Sequence, residues 1–96
     1  MIRRDGDSMM VTGPVTLQSV TKILDEGLAH IRAGVSVVDL AGVSELDSSL
    51  LAATLAWIRE ARQLDHSLIL ANLPRGLQIL AQLYGVEHLL PLANAR

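Results

Sequence analysis

Three short aliphatic runs mark this chain, at residues 9–12, 35–40 and 67–71, and between them the apolar residues recur at helical spacing. Leu17, Val20, Leu24, Leu28 and Ile31 fall three to four residues apart, with Ile23 beside them, and Leu51, Thr54, Leu55, Ile58 and Ala61 share one face at about 100° per residue. Strand, helix, strand, helix, strand within 96 residues leaves few folds open. A strand that returns through a helix lies parallel to its predecessor, and right-handed crossovers put successive helices on one side of the sheet. The expected class is α/β: one domain, with a mixed, mostly parallel sheet of about four strands and about three main helices packed on it.

Local signals suggest the boundaries. Gly13-Pro14 is expected to end the first run, Thr16 to cap the first helix and Gly34 to stop it, while Gly27 inside that helix weakens it slightly. Residues 41–46, with Gly42, read as a short connection before a second helix running from Ser48 to about Leu64. Pro74 suits the first turn of a third helix, with Leu77, Leu80 and Leu83 or Tyr84 as its inner stripe and Gly85 as its end. Residues 1–8 read as an irregular segment or short edge strand, 9–91 as the domain and 92–96 as a tail.

Several function classes lack the residues they need. With 8 basic and 10 acidic side chains and a net charge of −2, bulk charge draws the chain to neither nucleic acid nor an anionic membrane. One Trp, one Tyr and no Phe make no stacking platform, and without cysteine there is no disulfide or thiolate zinc site. His30, His66 and His88 are scattered without metal-ligand spacing, so no metal is expected, and no sequence pattern specifies a cofactor. There is no Gly-rich phosphate loop and no paired-carboxylate signature; Asp39, at a strand end, is expected to accept backbone donors in the following turn. No apolar segment follows Arg3-Arg4 as in an export signal. The longest apolar stretch, residues 50–58, is broken by Thr54 and falls far short of the roughly 20 residues that cross a bilayer. The expectation is a cytoplasmic, non-enzymatic domain without direct membrane insertion.

The richest segment is Val37-Val38-Asp39-Leu40-Ala41-Gly42-Val43-Ser44-Glu45-Leu46-Asp47-Ser48-Ser49. Asp47 is placed to cap a helix, its carboxylate accepting free backbone N–H groups at the positive helix end. Leu46 and Leu51 have the spacing of a hydrophobic staple. Ser48 and Ser49 then fall in the exposed first turn, where a hydroxyl can reach a partner and a phosphate would be favoured by the helix end but opposed by Asp47. Leu50, Ala53 and Trp57 lie on the flank of the helix. Leu50 is expected at an interface. The single Trp reads either as an anchor there or, more simply, as a cover for the core edge against a neighbouring helix. Arg59, Arg62 and Arg75 are expected to face solvent.

This segment closely resembles the signature of the STAS family, in which a strand V-D-L-x-x-V leads to x-[LMIV]-D-[ST]-[SGT] at a helix start. The Leu73-Pro74 helix start and the Leu83-Tyr84-Gly85-Val86 ending resemble the family too, so that the likeness runs from Met9 to Pro91. The compact length and the Leu-Tyr-Gly-Val…Leu-Pro end are most similar to the small STAS subunits of the bacterial Mla phospholipid transporter. That resemblance implies a STAS domain fold and a non-catalytic accessory subunit. It would bind the cytoplasmic ATPase of an ABC-type phospholipid transporter, peripheral to the inner membrane, through Asp47, Ser48, Ser49, Leu50 and Trp57. The family also contains anti-sigma-factor antagonists, whose phosphorylated residue aligns with Ser48, and the alternative is such an antagonist switched by an anti-sigma kinase. Many members carry Gly where this chain has Leu50; the departure favours a hydrophobic contact over kinase docking. Exposed apolar residues leave a homodimer of the isolated domain open.

Overall fold

A computed structural model describes residues 1–93, in the order β1 (Ile2–Asp5), β2 (Ser8–Val15), α1 (Val20–Arg32), β3 (Val37–Leu46), α2 (Ser48–Gln63), β4 (Ile69–Ala71) and α3 (Arg75–Leu83), followed by a 3₁₀ turn at Glu87–Leu89. The sheet order is β1-β2-β3-β4. β1 and β2 form an antiparallel hairpin, and β2–β3 and β3–β4 pair in parallel through the crossovers α1 and α2. This is the mixed, mostly parallel sheet with three helices that the run order implies.

Side-chain alternation shows which face the helices cover. Met9, Val11, Val38, Leu40 and Leu70 are buried, whereas their strand neighbours Met10, Val37, Asp39 and Ala71 are half-buried and Ile69 is exposed. The covered face meets Ile23, Gly27 and Ile31 of α1, Leu50, Thr54, Trp57 and Ala61 of α2, and Leu77 and Ala81 of α3. Among the described residues Thr54 is the buried polar residue of this core, and its hydroxyl donates to the Leu50 carbonyl at 2.8 Å, so its burial leaves no unmet donor there.

The first residues take the edge-strand alternative, and three boundaries differ from the sequence expectation, each for a visible reason. Residues 2–5 form a true edge strand, paired from Ile2 opposite Val11 to Asp5 opposite Ser8. β2 runs on through Gly13-Pro14 to Val15, because a register shift falls at these residues and relaxes the ladder where proline has no N–H to give. β3 does not stop at Leu40: the expected connection 41–46 pairs with β2 as far as Leu46 opposite Val15. Two register shifts each place an additional residue on β3, and such bulges carry the strand on while bending it. Finally, α1 begins at Val20 with Ser19 as its cap residue. Thr16 sits in the preceding turn, its carbonyl accepting the Ser19 and Val20 amides at 2.9 Å each and its amide bonded to Ser19 Oγ at 3.0 Å.

The third helix also turns a different face inward. Leu77 and Ala81 are buried and Leu80 is half-buried, but Leu83 and Tyr84 are exposed, so neither belongs to the inner stripe. Leu92 forms a parallel bridge to Leu70, which ties the start of the expected tail to the free edge of β4; residues 94–96 of that tail lie outside the described residues.

Candidate functional site

Asp47 is the single residue between the end of β3 and the start of α2, held in extended conformation. One carboxylate oxygen, Oδ1, accepts the Ser49 amide at 2.8 Å and also the Ser49 hydroxyl. The other, Oδ2, accepts the Leu17 amide at 2.9 Å, thirty residues away in the β2–α1 turn. The Ser49 hydroxyl, then the Leu17 amide, then the Ser49 amide hold the Asp47 carboxyl below its ordinary value, against a smaller opposing effect of desolvation. The Leu50 amide donates to the Asp47 carbonyl at 3.1 Å, so backbone and side chain of Asp47 together meet two donors of the first turn.

The two serines differ. Ser49 is half-buried and its hydroxyl is engaged by Asp47. Ser48 is exposed at the tip of α2, and among the described residues its side chain has no hydrogen-bond partner. Beside them runs an open groove of about 440 Å³ between the starts of α1 and α2, walled by Leu17, Val20 and Leu24 on one side and Ser48, Ser49 and Ala52 on the other. Leu17 is 78 % exposed, the most exposed large hydrophobic side chain among the described residues.

The structure therefore brings together Asp47, Ser48 and Ser49, and separates Leu50 and Trp57 from them. Leu50 is fully buried in the core, which corrects its expected place at an interface. The reason is the width of the buried arc: α2 packs against both the sheet and α1, so the inward face centres on Leu50, Thr54, Trp57 and Ala61, and Leu55 and Ile58 move to its half-buried edge. Trp57 is likewise fully buried, and its Nε1 donates to the Leu24 carbonyl of α1 at 3.1 Å, so it covers the core against the neighbouring helix. The apolar neighbour of the serines is Leu17 instead. Its spacing counts Leu17 into the first helical stripe, but α1 begins only at Val20, and the Ser19 hydroxyl serves the turn before it, accepting from the Thr16 amide and donating to the Pro14 carbonyl.

Elsewhere, Asp39 accepts the Ala41 amide at 2.9 Å and the Asn72 side-chain amide at 3.0 Å, the structural role expected of it. His30 is half-buried, His66 and His88 are exposed, and Arg59, Arg62 and Arg75 face solvent. Among the described residues no group of three or more His, Cys, Asp or Glu is placed to hold a metal ion, and no helix is long and apolar enough to cross a membrane. The site offers one free hydroxyl, one engaged hydroxyl, a fixed carboxylate and apolar walls.

Comparison with known proteins agrees with the fold. The family model described as Mlab, STAS domain, matches residues 1–91. No curated protein matches the chain. Among solved structures, the anti-sigma factor antagonist SpoIIAA in its unphosphorylated form is similar at TM-score 0.71 and 18 % identity, over 99 % of this chain and 88 % of that one. The phosphorylated form of the Bacillus protein is similar at TM-score 0.68 and 18 % identity, over 99 % and 91 %. A candidate anti-sigma factor antagonist from Thermotoga maritima is similar at TM-score 0.74 and 9 % identity, over 96 % and 83 %. At these identities the likeness is one of fold.

Proposed function

Since the chain belongs to the STAS domain family, we propose that it works without catalysis, as an accessory subunit that docks on the cytoplasmic ATPase of an ABC-type phospholipid transporter. The observation that carries this reading is the unengaged Ser48 hydroxyl at the tip of α2, exposed beside an apolar-walled groove. The match to the Mlab-type family model over residues 1–91 points to the transporter branch. The energetics follow from the parts. Covering an exposed Leu side chain contributes roughly 1.5–3 kcal/mol, and Leu17 is such a side chain at the groove wall. Asp47 already satisfies the Ser49 and Leu50 amides, so a partner meets hydroxyls and apolar surface rather than a bare ring of N–H donors. That favours a protein surface over a small anion.

The test is direct binding of the purified chain to the ATPase subunit by calorimetry. Wild-type chain is expected to bind, and Ser48→Glu to weaken binding at least tenfold by placing a desolvated charge beside Asp47. An ATPase that binds Ser48→Glu as tightly as wild type removes the tip of α2 from the contact.

A second reading has one observation in its favour, the fold likeness to SpoIIAA, a protein solved in both phosphorylated and unphosphorylated forms. In that reading the chain is an anti-sigma-factor antagonist and Ser48 accepts a phosphate. The added charge of about −1.5 to −2 next to Asp47 would eject the partner. Incubation with the anti-sigma kinase and ATP, followed by mass measurement, decides it; an unmodified Ser48 alongside an active kinase eliminates the reading.

A further inference from the structure

Leu17 is a leucine 78 % exposed, in a turn outside any helix or strand whose backbone is held by three hydrogen bonds. Its amide is fixed to Asp47 Oδ2 at 2.9 Å, the preceding Thr16 amide to Ser19 Oγ at 3.0 Å, and Ser19 Oγ donates in turn to the Pro14 carbonyl at 3.1 Å. Ordering a turn costs backbone entropy of about 1–2 kcal/mol per residue, and a turn backbone already ordered spares a partner that cost on binding.

We infer that Asp47 is a positioning residue for Leu17, and that Leu17 so held is the apolar half of the docking surface whose polar half is Ser48. This deepens the docking reading and rests on it. One carboxylate joins both halves: Oδ1 sets the first turn of α2 through Ser49, and Oδ2 sets the β2–α1 turn. Its depressed protonation, caused in part by the Leu17 amide, is in keeping with a donor on each oxygen. The motif aspartate thus does more than cap a helix, and any partner that recognises Ser48 meets Leu17 at a fixed offset across the groove.

Asp47→Asn separates these two jobs. Asparagine caps a helix as well as aspartate, but it has one acceptor oxygen where the carboxylate has two. Turning that oxygen toward Ser49 preserves both Ser49 contacts and sets an NH₂ group against the Leu17 N–H. In the free chain, amide hydrogen exchange of Asp47→Asn is expected to quicken about tenfold at Leu17 and to stay unchanged at Ser49, as one charge-assisted hydrogen bond is lost. In binding to the ATPase subunit, Leu17→Ala and Asp47→Asn are each expected to weaken affinity several-fold, and the double variant no more than Leu17→Ala alone, since Asp47 acts through Leu17. Equal Leu17 exchange in wild type and Asp47→Asn overturns the tie, and additive losses in the double variant overturn the claim that Asp47 works through Leu17. Wild-type chain that fails to bind the ATPase overturns the docking reading and Leu17's part in it, while the exchange measurement still decides the tie on its own.

Discussion

Gly27 of α1 and Trp57 of α2 are fitted to each other: a Cβ on Gly27 would stand 2.6 Å from Trp57 Cζ2, inside the van der Waals envelope of the indole. The same ring donates its Nε1–H to the Leu24 carbonyl one turn earlier on α1. A glycine that looks like a flaw in helix propensity is therefore what allows α1 and α2 to approach.

Gly27→Ala accordingly sets two effects against each other. The alanine gains about 1 kcal/mol in helix propensity, while overpacking against a fully buried ring costs typically 1–3 kcal/mol and more where nothing can yield. Net destabilisation of about 1–2 kcal/mol is expected, read from urea unfolding followed by circular dichroism, a probe that also serves variants without Trp57. Adding Trp57→Phe should recover part of the Gly27→Ala loss, and strictly additive losses would show that the two residues do not meet.

Leu50 now belongs to stability rather than recognition. Leu50→Ala is expected to cost about 2–5 kcal/mol by leaving a cavity between α2 and the sheet. Ser48→Ala, at an exposed position, should stay within about 0.5 kcal/mol of wild type. Thermal melts separate the two. Affinity of the folded Leu50→Ala chain for the ATPase subunit should equal that of wild type, and a specific loss of affinity without loss of stability would return Leu50 to the interface.

How far these positions could be read beforehand depends on what decides each one. The α/β class, the parallel crossovers and the Asp47 cap follow from periodicity and from one residue's side-chain chemistry, both of which are local. The length of β3 was hidden because bulges depend on the partner strand: nothing in residues 41–46 announces that they pair with Thr12–Val15 until β2 is known to run past Pro14. Spacing alone does not place Leu50 and Trp57, because a helix packed against both a sheet and another helix buries a wide arc and spacing identifies only a stripe. Leu17 carried the opposite error. Its spacing matched the helical stripe, but the helix starts three residues later, and the hydrogen bond from its amide to Asp47 spans thirty residues of sequence.

Asp47 also gives the chain a definite acid response. Its folded-state carboxyl titrates below its unfolded value, so the stability it adds is fully present above about pH 4–5, where the unfolded aspartate is already ionised, and is lost as pH falls through the depressed folded value. The stability difference between wild type and Asp47→Asn should therefore be flat near neutral pH and shrink on acidification. Ser49→Ala should diminish this acid dependence, since the Ser49 hydroxyl is the largest cause of the shift. Urea midpoints measured across the acid range check both, and a difference independent of pH would mean that the carboxylate is not held by these donors.

Asp39 makes the last prediction, because it resembles a functional carboxylate and has a structural task. Its Oδ1 accepts the Ala41 amide at the β3 bulge and the Asn72 side chain from the loop after β4, so one oxygen joins an irregular strand to its neighbour. Asn72 sits at φ 56°, a left-handed conformation that asparagine tolerates and β-branched residues do not. Asp39→Ala strands both donors and should cost about 1–2 kcal/mol, whereas Asp39→Asn keeps an acceptor oxygen in place and should cost distinctly less. Asn72→Gly should lose only the side-chain bond, and Asn72→Val should lose the bond and add backbone strain. If Asp39→Ala and Asp39→Asn unfold at the same urea concentration, the carboxylate oxygen is not what holds the bulge to the β4 loop.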